Sequence, residues 1–503
     1  MTISRFMRTV ALTALVSVPG LPALAADASN VTVVLASEPP NLDPCNNSLS
    51  GVGYVIRENV VETLTQLDRD TGEVVPRLAT AWEDVGGGTW RVKLREGVTF
   101  HDGSPFDAAA VKTAIERAMG DAIYCVDKDR VTMDLTLTAV DDHTIDITSN
   151  PPQVLMPIYL TVFGIGAPST PADTLTRAPV GTGPYRFVSW TPEAIEIERF
   201  DGYWGAAPDV AKATYLVRGE SALRASMVEV GEADIALAIA PQDATDPSLD
   251  KTYPDGETTR IRMVLKPPLD DIRVRKAMNL AFDRDSLIGT VLSENVVPAI
   301  QDFGPRVLGY DPDLKPWSYD PDAARALVEE ARADGVPVDT EITVYGRIGM
   351  YANIEDVLQV MTQNWNAVGL NTRLQMIETG QWVPMVTKPF APDRPVALFP
   401  EMHDNNFGDA AFSIPARFHA DGAQEEVNIP ELTAMIDKAM AATGDDRRTL
   451  FEEINRYIAE EVVPDVKMYH MVGYMRVGPR LDFQPTNADA GQLELSEIRF
   501  RTE

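Results

Sequence analysis

The chain has 503 residues, which is enough for two or three domains and for more than one hydrophobic core. Its formal net charge is −31 and its pI is about 4.5. This excess of acidic side chains argues against binding to nucleic acid or to an anionic membrane surface.

The first 25 residues have the pattern of a secretory signal peptide. Two arginines precede a short apolar run over residues 10–18, and the alanines at 23 and 25 fit the small-residue rule for cleavage. The run is too short to span a bilayer, and no cysteine follows it closely enough for lipid attachment. We therefore expect a periplasmic protein that loses residues 1–25 and is not anchored by lipid.

The first strand predicted is residues 31–35, a β-branched run that ends before two prolines. A polar loop follows it and contains Asn46, Asn47 and Ser48. Ligands of α/β proteins usually bind at the carboxyl ends of strands. These three side chains are therefore candidate ligand contacts, and the alternative is an ordinary capped loop.

The chain contains only two cysteines, Cys45 and Cys125. Disulfides persist in exported proteins, and an even number of cysteines favours pairing. We therefore predict a Cys45–Cys125 disulfide. The alternative is two unrelated buried thiols.

Residues 60–170 have the pattern of a small α+β unit. Alternating strands are predicted at 89–95 and 142–148, and Asp107 is placed to cap a helix over 108–119. His101 stands beside an aspartate, but no second His–Asp pair with metal-ligand spacing accompanies it. We expect neither a metal site nor a cofactor.

In the rest of the chain, strands alternate with helices, which is typical of α/β architecture. The strands are expected at 233–237, 341–345, 371–377, 396–399 and 466–469, and the helices near 272–281, 321–335, 353–368 and 450–458. Two prolines at 267 and 268 must end the strand that precedes them. We place one passage between lobes at 262–268, and a second in the turn-rich chain at 471–479.

Several segments resemble the peptide-type (family 5) extracytoplasmic solute-binding proteins of bacterial ABC importers for peptides, nickel and some sugars. Residues 266–283 resemble the family's PLDD-x-RVR-x-A segment. The signatures E-P-P-N-L-D-P, L-A-x-x-W, W-R-x-x-L-R-x-G-V-x-F-H-D-G, G-T-G-P-Y and D-G-Y-W occur in the family's order, at residues 38–44, 78–82, 90–103, 181–185 and 201–204. The resemblance extends over nearly the whole chain after residue 30.

The resemblance implies a two-lobed α/β periplasmic binding protein of the cluster C type, with an extra α+β subdomain inserted in the first lobe. The expected boundaries are 26–59, 171–264 and 472–503 for lobe I, 60–170 for the inserted subdomain, and 265–471 for lobe II.

The function implied is a non-catalytic receptor that closes around a small polar solute, such as a peptide or an amino-acid derivative. It would act as a monomer and deliver the solute to ABC permease subunits in the inner membrane. One alternative is a receptor for an oligosaccharide or for chelated nickel, with His403 as a metal ligand. Another is a periplasmic hydrolase, although the five histidines form no recognisable triad.

The resemblance also suggests the site. Asp404 stands where the family has the carboxylate that meets a peptide's amino terminus, and Arg347 nearly matches the arginine that meets its carboxylate. The family's tryptophan is missing from this segment, and Ala410 replaces its proline, so a plain dipeptide is in doubt. Further candidates by position and chemistry are His403, Asn405, Asn406 and Trp382.

Overall fold

The computed structural model describes residues 29–68, 71–131, 133–351, 353–405, 407–486 and 492–502. The predicted signal peptide and Asn406 lie outside the described residues. Among the residues described, no helix has both the length and the apolar character needed to cross a bilayer.

The elements alternate in the way that the sequence predicts. Up to residue 236 they are β1 (Asn30–Leu35), α1 (Ser50–Ile56), β2 (Thr65–Leu67), β3 (Val74–Pro76), β4 (Ala79–Gly86), β5 (Thr89–Leu94), α2 (Ala108–Met119), α3 (Val126–Asp129), β6 (Asp134–Asp141), β7 (Thr144–Asn150), α4 (Met156–Tyr159), β8 (Tyr185–Trp190), β9 (Ile195–Arg199), β10 (Lys212–Val217), α5 (Ser221–Glu229) and β11 (Ile235–Ala236). The remainder are β12 (Asp250–Met263), α6 (Ile272–Leu280), β13 (Val297–Pro298), α7 (Pro321–Ala333), β14 (Glu341–Arg347), α8 (Ile354–Ala367), β15 (Asn371–Ile377), α9 (Thr379–Val386), β16 (Ala397–Asp404), α10 (Ile414–Phe418), α11 (Pro430–Ala441), α12 (Gly444–Tyr457), β17 (Asp465–Val477), β18 (Leu481–Asp482) and β19 (Arg499–Phe500).

One sheet passes through both lobes, in the order β15-β14-β16-β12-β17-β11-β1-β10-β9-β8, with β13 beside β17. Strands β14, β15 and β16 run parallel to one another in lobe II, as β1, β10 and β11 do in lobe I. Each lobe has its own apolar core on this sheet. The fold is the predicted two-lobed α/β binding protein.

The lobes are joined by the two long strands, β12 and β17. Residues 250–254 of β12 pair with 472–476, and residues 258–262 pair with 465–470, with a register shift between the two sets. Only residues 257–263 also pair with β16 of lobe II. The change of partners therefore lies at Pro254–Thr258 and His470–Val472, which we call the hinge segment. It lies upstream of the lobe boundary predicted after residue 264.

The second passage is not the turn-rich chain that the sequence suggested. Strand β17 continues to Val477, and Gly473 lies inside it. A Cβ atom on Gly473 would lie 2.4 Å from the ring of Tyr253 on the neighbouring strand. Glycine is therefore needed there for close packing and not for a turn.

The expected α+β subdomain is present within the first lobe. Its four-stranded antiparallel sheet has the order β4-β5-β7-β6, and α2 begins at the predicted cap, where Asp107 accepts a hydrogen bond from the Ala110 N–H at 2.8 Å. Cys45 precedes α1 and Cys125 precedes α3; their Cα atoms are 5.4 Å apart and their sulfurs are bonded. This separation satisfies the geometric condition for a disulfide.

Candidate functional site

Two oppositely charged side chains lie at the same edge of the lobe II sheet. Arg347 ends β14 and Asp404 ends β16, and these neighbouring strands are parallel. The carboxyl ends of parallel strands meet at one edge. Both main candidates therefore lie toward this edge, with Asp404 further along its strand than the residue level with Arg347, and neither is among the residues that line the two cavities described below. Arg347 also lies over the indole of Trp382, with its guanidinium carbon 5.2 Å from the ring centroid.

Strand β12 adds two carboxylates that the sequence did not indicate. Glu257 is the antiparallel partner of Asp404, and Asp255 accepts a hydrogen bond from the Glu257 N–H at 2.9 Å. Burial, with the charges of Asp255 and Asp404, raises the pKa of Glu257 to about 7, whereas Arg347 opposes the rise. Burial likewise raises the pKa of Asp255 to about 6. Glu257 therefore lies within electrostatic range of two other acidic groups and one arginine.

Asn405 is a buried polar residue that lines both cavities described below. It is 3% exposed, and its amide nitrogen donates to the Asp409 carbonyl at 2.9 Å and to the Ser413 hydroxyl at 2.7 Å. Its side-chain oxygen is buried and has no hydrogen-bond partner among the described residues. A buried acceptor left in this way costs about 1–3 kcal/mol, so a ligand that donates a hydrogen bond here would be favoured.

Two cavities share Asn405, Arg306 and Val307 as a common wall. The hinge-side cavity has a volume of about 290 Å³ and is also lined by Glu257 and by both strands of the hinge segment. The interlobe cavity has a volume of about 60 Å³, and its lobe I wall includes Arg57, which ends α1. Together they form the cleft between the lobes.

The lobes touch beside this cleft. The ring of Phe412 in lobe II lies 5.2 Å from that of Tyr159 in the inserted subdomain, measured between centroids. Phe407 stacks on Phe412 at 4.0 Å and lies under the guanidinium of Arg130 at 5.6 Å. The segment after Asp404 therefore carries the contact between the lobes as well as the polar groups of the cleft.

Two of the three lobe I candidates make structural hydrogen bonds, and the third is buried. Asn46 accepts from the Val126 N–H at 2.9 Å, and Ser48 hydrogen-bonds to Asp127 through both its backbone N–H and its hydroxyl. Asn47 is fully buried, and its side-chain amide has no hydrogen-bond partner among the described residues. Asn46 and Ser48 therefore fasten the first loop to the inserted subdomain, and none of the three residues lines either cavity of the cleft.

His403 and Trp382 also lie outside the two cavities. His403 shares a hydrogen bond of 2.8 Å with the Ser413 hydroxyl, and burial together with the charge of Arg417 holds its pKa well below the usual range. Trp382 is 7% exposed and packs edge-on against Phe399 in the lobe II interior. In the described ranges, no three His, Cys, Asp or Glu side chains are grouped so that they could hold a metal ion.

Sequence reasoning missed Glu257, Asp255 and Arg306. Asp255, Gly256 and Glu257 have the composition of a turn, and the sequence alone did not show that they lie within a strand crossing between lobes. The length of the segment before Pro267 is the one signal that could have indicated a long strand containing Asp255 and Glu257. No comparable signal marks Arg306.

A two-lobed α/β fold, with a polar cleft at the strands that join the lobes, defines the class of periplasmic-type solute-binding proteins. The profile of the bacterial extracellular solute-binding proteins, family 5 Middle, matches residues 73–398. The chain belongs to this family. It is the substrate-binding receptor of an ABC importer.

Similar proteins agree with this assignment. The chain is 28% identical over 421 residues to the glutathione-binding protein GsiB of Pectobacterium atrosepticum, covering 78% of this chain and 77% of the relative. It is 30% identical over 390 residues to GsiB of Salmonella paratyphi A, covering 73% and 72%. The solved structure of HbpA2 from Haemophilus parasuis superposes with a TM-score of 0.85 at 19% identity, covering 94% of this chain and 100% of that one.

Proposed function

We propose that the receptor captures a small zwitterionic, peptide-like solute, with Asp404 binding its amino group and Arg347 its carboxylate. The observation that supports this proposal is that Arg347 and Asp404 each end a strand of one parallel pair, and that both charges act on Glu257, which lines the hinge-side cavity. Arginine matches a carboxylate through two parallel hydrogen bonds, and a carboxylate accepts from an ammonium group. The relatives named above bind glutathione, which is itself a peptide.

Delivery completes the proposed role. The protein is exported by its signal peptide, remains unanchored by lipid in the periplasm, and passes its ligand as a monomer to the permease subunits in the inner membrane. The acidic surface suits a dispersed protein that binds no nucleic acid. The relatives are binding proteins, and we propose that this chain also binds its solute without converting it.

The test begins with mass spectrometry of any small molecule that the purified protein releases on denaturation. Calorimetry then compares dialanine, glutathione, raffinose and a nickel–histidine complex as probes. We expect the released molecule to carry an amine and a carboxylate, and the peptides to bind more tightly than raffinose. Tight binding of raffinose or of the nickel complex, with none of either peptide, would overturn the proposal.

A further inference from the structure

The hinge-side cavity has apolar walls and one polar end. Its volume is about 290 Å³, and its walls include Val297, Val307 and Tyr310 of lobe II and Val472 of the hinge segment. Glu257 supplies the only carboxylate among the residues that line it. Such a shape suits an extended apolar arm that ends in a polar group.

Two acceptors of the cavity, on Asn405 and Glu257, are buried without a hydrogen bond, although Arg306 also lines the cavity. The Asn405 side chain is 3% exposed, and because its nitrogen is already used, the atom left for a ligand is its carbonyl-type oxygen. One carboxylate oxygen of Glu257 is also buried. This oxygen and the side-chain oxygen of Asn405 both have no hydrogen-bond partner among the described residues. Both positions call for a ligand that donates hydrogen bonds.

The charges around this end favour a cation. Asp404 faces Glu257 across the strand pair, and Asp255 bonds to the Glu257 backbone. Arg347 is the cation that acts on Glu257, and Arg306 lines the cavity wall that is shared with the interlobe cavity. His470, on strand β17, also lines the cavity. Burial lowers its pKa to about 4, so its ring is neutral at pH 7.

We propose that this cavity binds a basic side chain of the ligand, an aliphatic arm ending in an ammonium or guanidinium group that donates to Glu257 and Asn405. The inference rests on the proposed peptide-like function and narrows it to solutes of the lysine, ornithine or arginine type. A purely apolar arm would fill the walls but leave both acceptors without a donor. An anionic arm would meet the carboxylates at close range.

The test uses peptides that differ only in the terminal ammonium group. Calorimetry at pH 8 compares Lys-Ala with norleucyl-alanine and Ala-Lys with alanyl-norleucine. We expect the lysine peptide to bind at least 30-fold more tightly in one of the two positions. Glu257→Gln should remove most of this difference, because it weakens the lysine peptide more than the norleucine peptide. Glu355→Gln, on the exposed face of α8, makes the same change in net charge and should have no effect.

Lowering the pH supplies a second measurement. Between pH 8 and pH 6, Glu257 takes up a proton in the free protein, so the affinity for the lysine peptide should fall more steeply than the affinity for the norleucine peptide. Equal affinity within each pair, with no effect of Glu257→Gln, would overturn the basic-arm inference and leave the Asp404–Arg347 proposal standing. Failure of all four peptides to bind would overturn both.

Discussion

In the proposed site, Asp404 and Arg347 are charged side chains that lose bound water when the lobes close around a ligand. In an open cleft both are hydrated, whereas a closed cleft removes water from them and from the ligand. A zwitterion that bridges them pairs all four charges. The additional carboxylate of Glu257 gives the cleft an excess of negative charge, so the amine end of the ligand should contribute more to affinity than the carboxylate end.

Substitutions at these two residues test the charge pairing. Asp404→Asn and Arg347→Gln keep approximate shape and remove one charge each. Each leaves one charge of the bound zwitterion without a partner, which typically costs ~2–5 kcal/mol, or roughly 30-fold to several-thousand-fold in affinity. Calorimetry with the molecule released from the native protein measures this loss. Asp356→Asn, on the exposed face of α8, is the matched control. A loss below threefold in both variants would show that the charges are not the anchor.

Glu257 predicts a pH dependence of stability in the ligand-free protein. Its pKa is raised from 4.5 to about 7, so the fold favours the protonated form. The stability gained is fully present below pH 4.5 and is lost as the pH rises through 7; each pKa unit is worth about 1.4 kcal/mol. Glu257→Gln removes this loss and should raise the free energy of unfolding at pH 8, with a smaller gain at pH 5.

Urea titrations of the wild type and Glu257→Gln at both pH values measure the difference. Glu355→Gln controls for the change in net charge. A Glu257 variant that is less stable than the wild type at pH 8 would mean that the ionised carboxylate has favourable partners in the folded protein.

At the scale of elements, local signals predicted most of the fold. Helix α2 ends at the predicted residue, and α6, α7 and α8 agree to within about two residues at each end, because caps and apolar periodicity are properties of a few neighbouring residues. Partner choice between strands is not local. The sequence therefore suggested Asp404 and Arg347 as ligand contacts through resemblance, which stays a prediction, but did not show that β12 pairs Glu257 with Asp404.

The polar loop after β1 also makes contacts with distant residues that the sequence did not predict. Its position at a strand's carboxyl end is correct, yet Asn46 and Ser48 bond to residues about 80 positions away, in α3 of the inserted subdomain. Composition cannot distinguish an amide that awaits a ligand from one that joins two parts of a fold. Gly473 was misinterpreted for a related reason, because its neighbour Tyr253 is distant in sequence.

The disulfide makes this connection covalent. Cys45 and Cys125 are 80 residues apart in sequence, and the loop they close contains the first part of the subdomain. In the chain-entropy model such a bridge stabilises by about 4.5 kcal/mol, and often by less in practice. Thiol titration of the denatured, unreduced protein should detect no free thiol. The Cys45→Ser/Cys125→Ser variant should unfold at a lower temperature and still bind ligand, and two titratable thiols in the wild type would contradict the bridge.

At the scale of the whole molecule, function depends on how the lobes move about β12 and β17. Each lobe has its own core, and the two strands at Pro254–Thr258 and His470–Val472 are the covalent route between them. A small change of backbone angles there can swing a lobe as a rigid body. Phe412 contacts Tyr159 across the lobes, so we expect this contact to be lost when the lobes open. A ligand stabilises closure only as far as it binds the closed arrangement more tightly.

Small-angle scattering tests this motion. The ligand-free protein should have a larger radius of gyration than the protein saturated with the molecule that it releases on denaturation, because closure brings the two lobes together. Asp404→Asn at the same ligand concentration should keep the larger radius, since its affinity is reduced and closure is driven by binding.

Phe412→Ala should bind ligand more weakly without changing the radius of the ligand-free protein, because we expect Phe412 to meet its partner Tyr159 only on closure. An unchanged radius in the wild type, with tight binding verified by calorimetry, would mean that the lobes are already fixed in the closed arrangement and that ligand enters by another route.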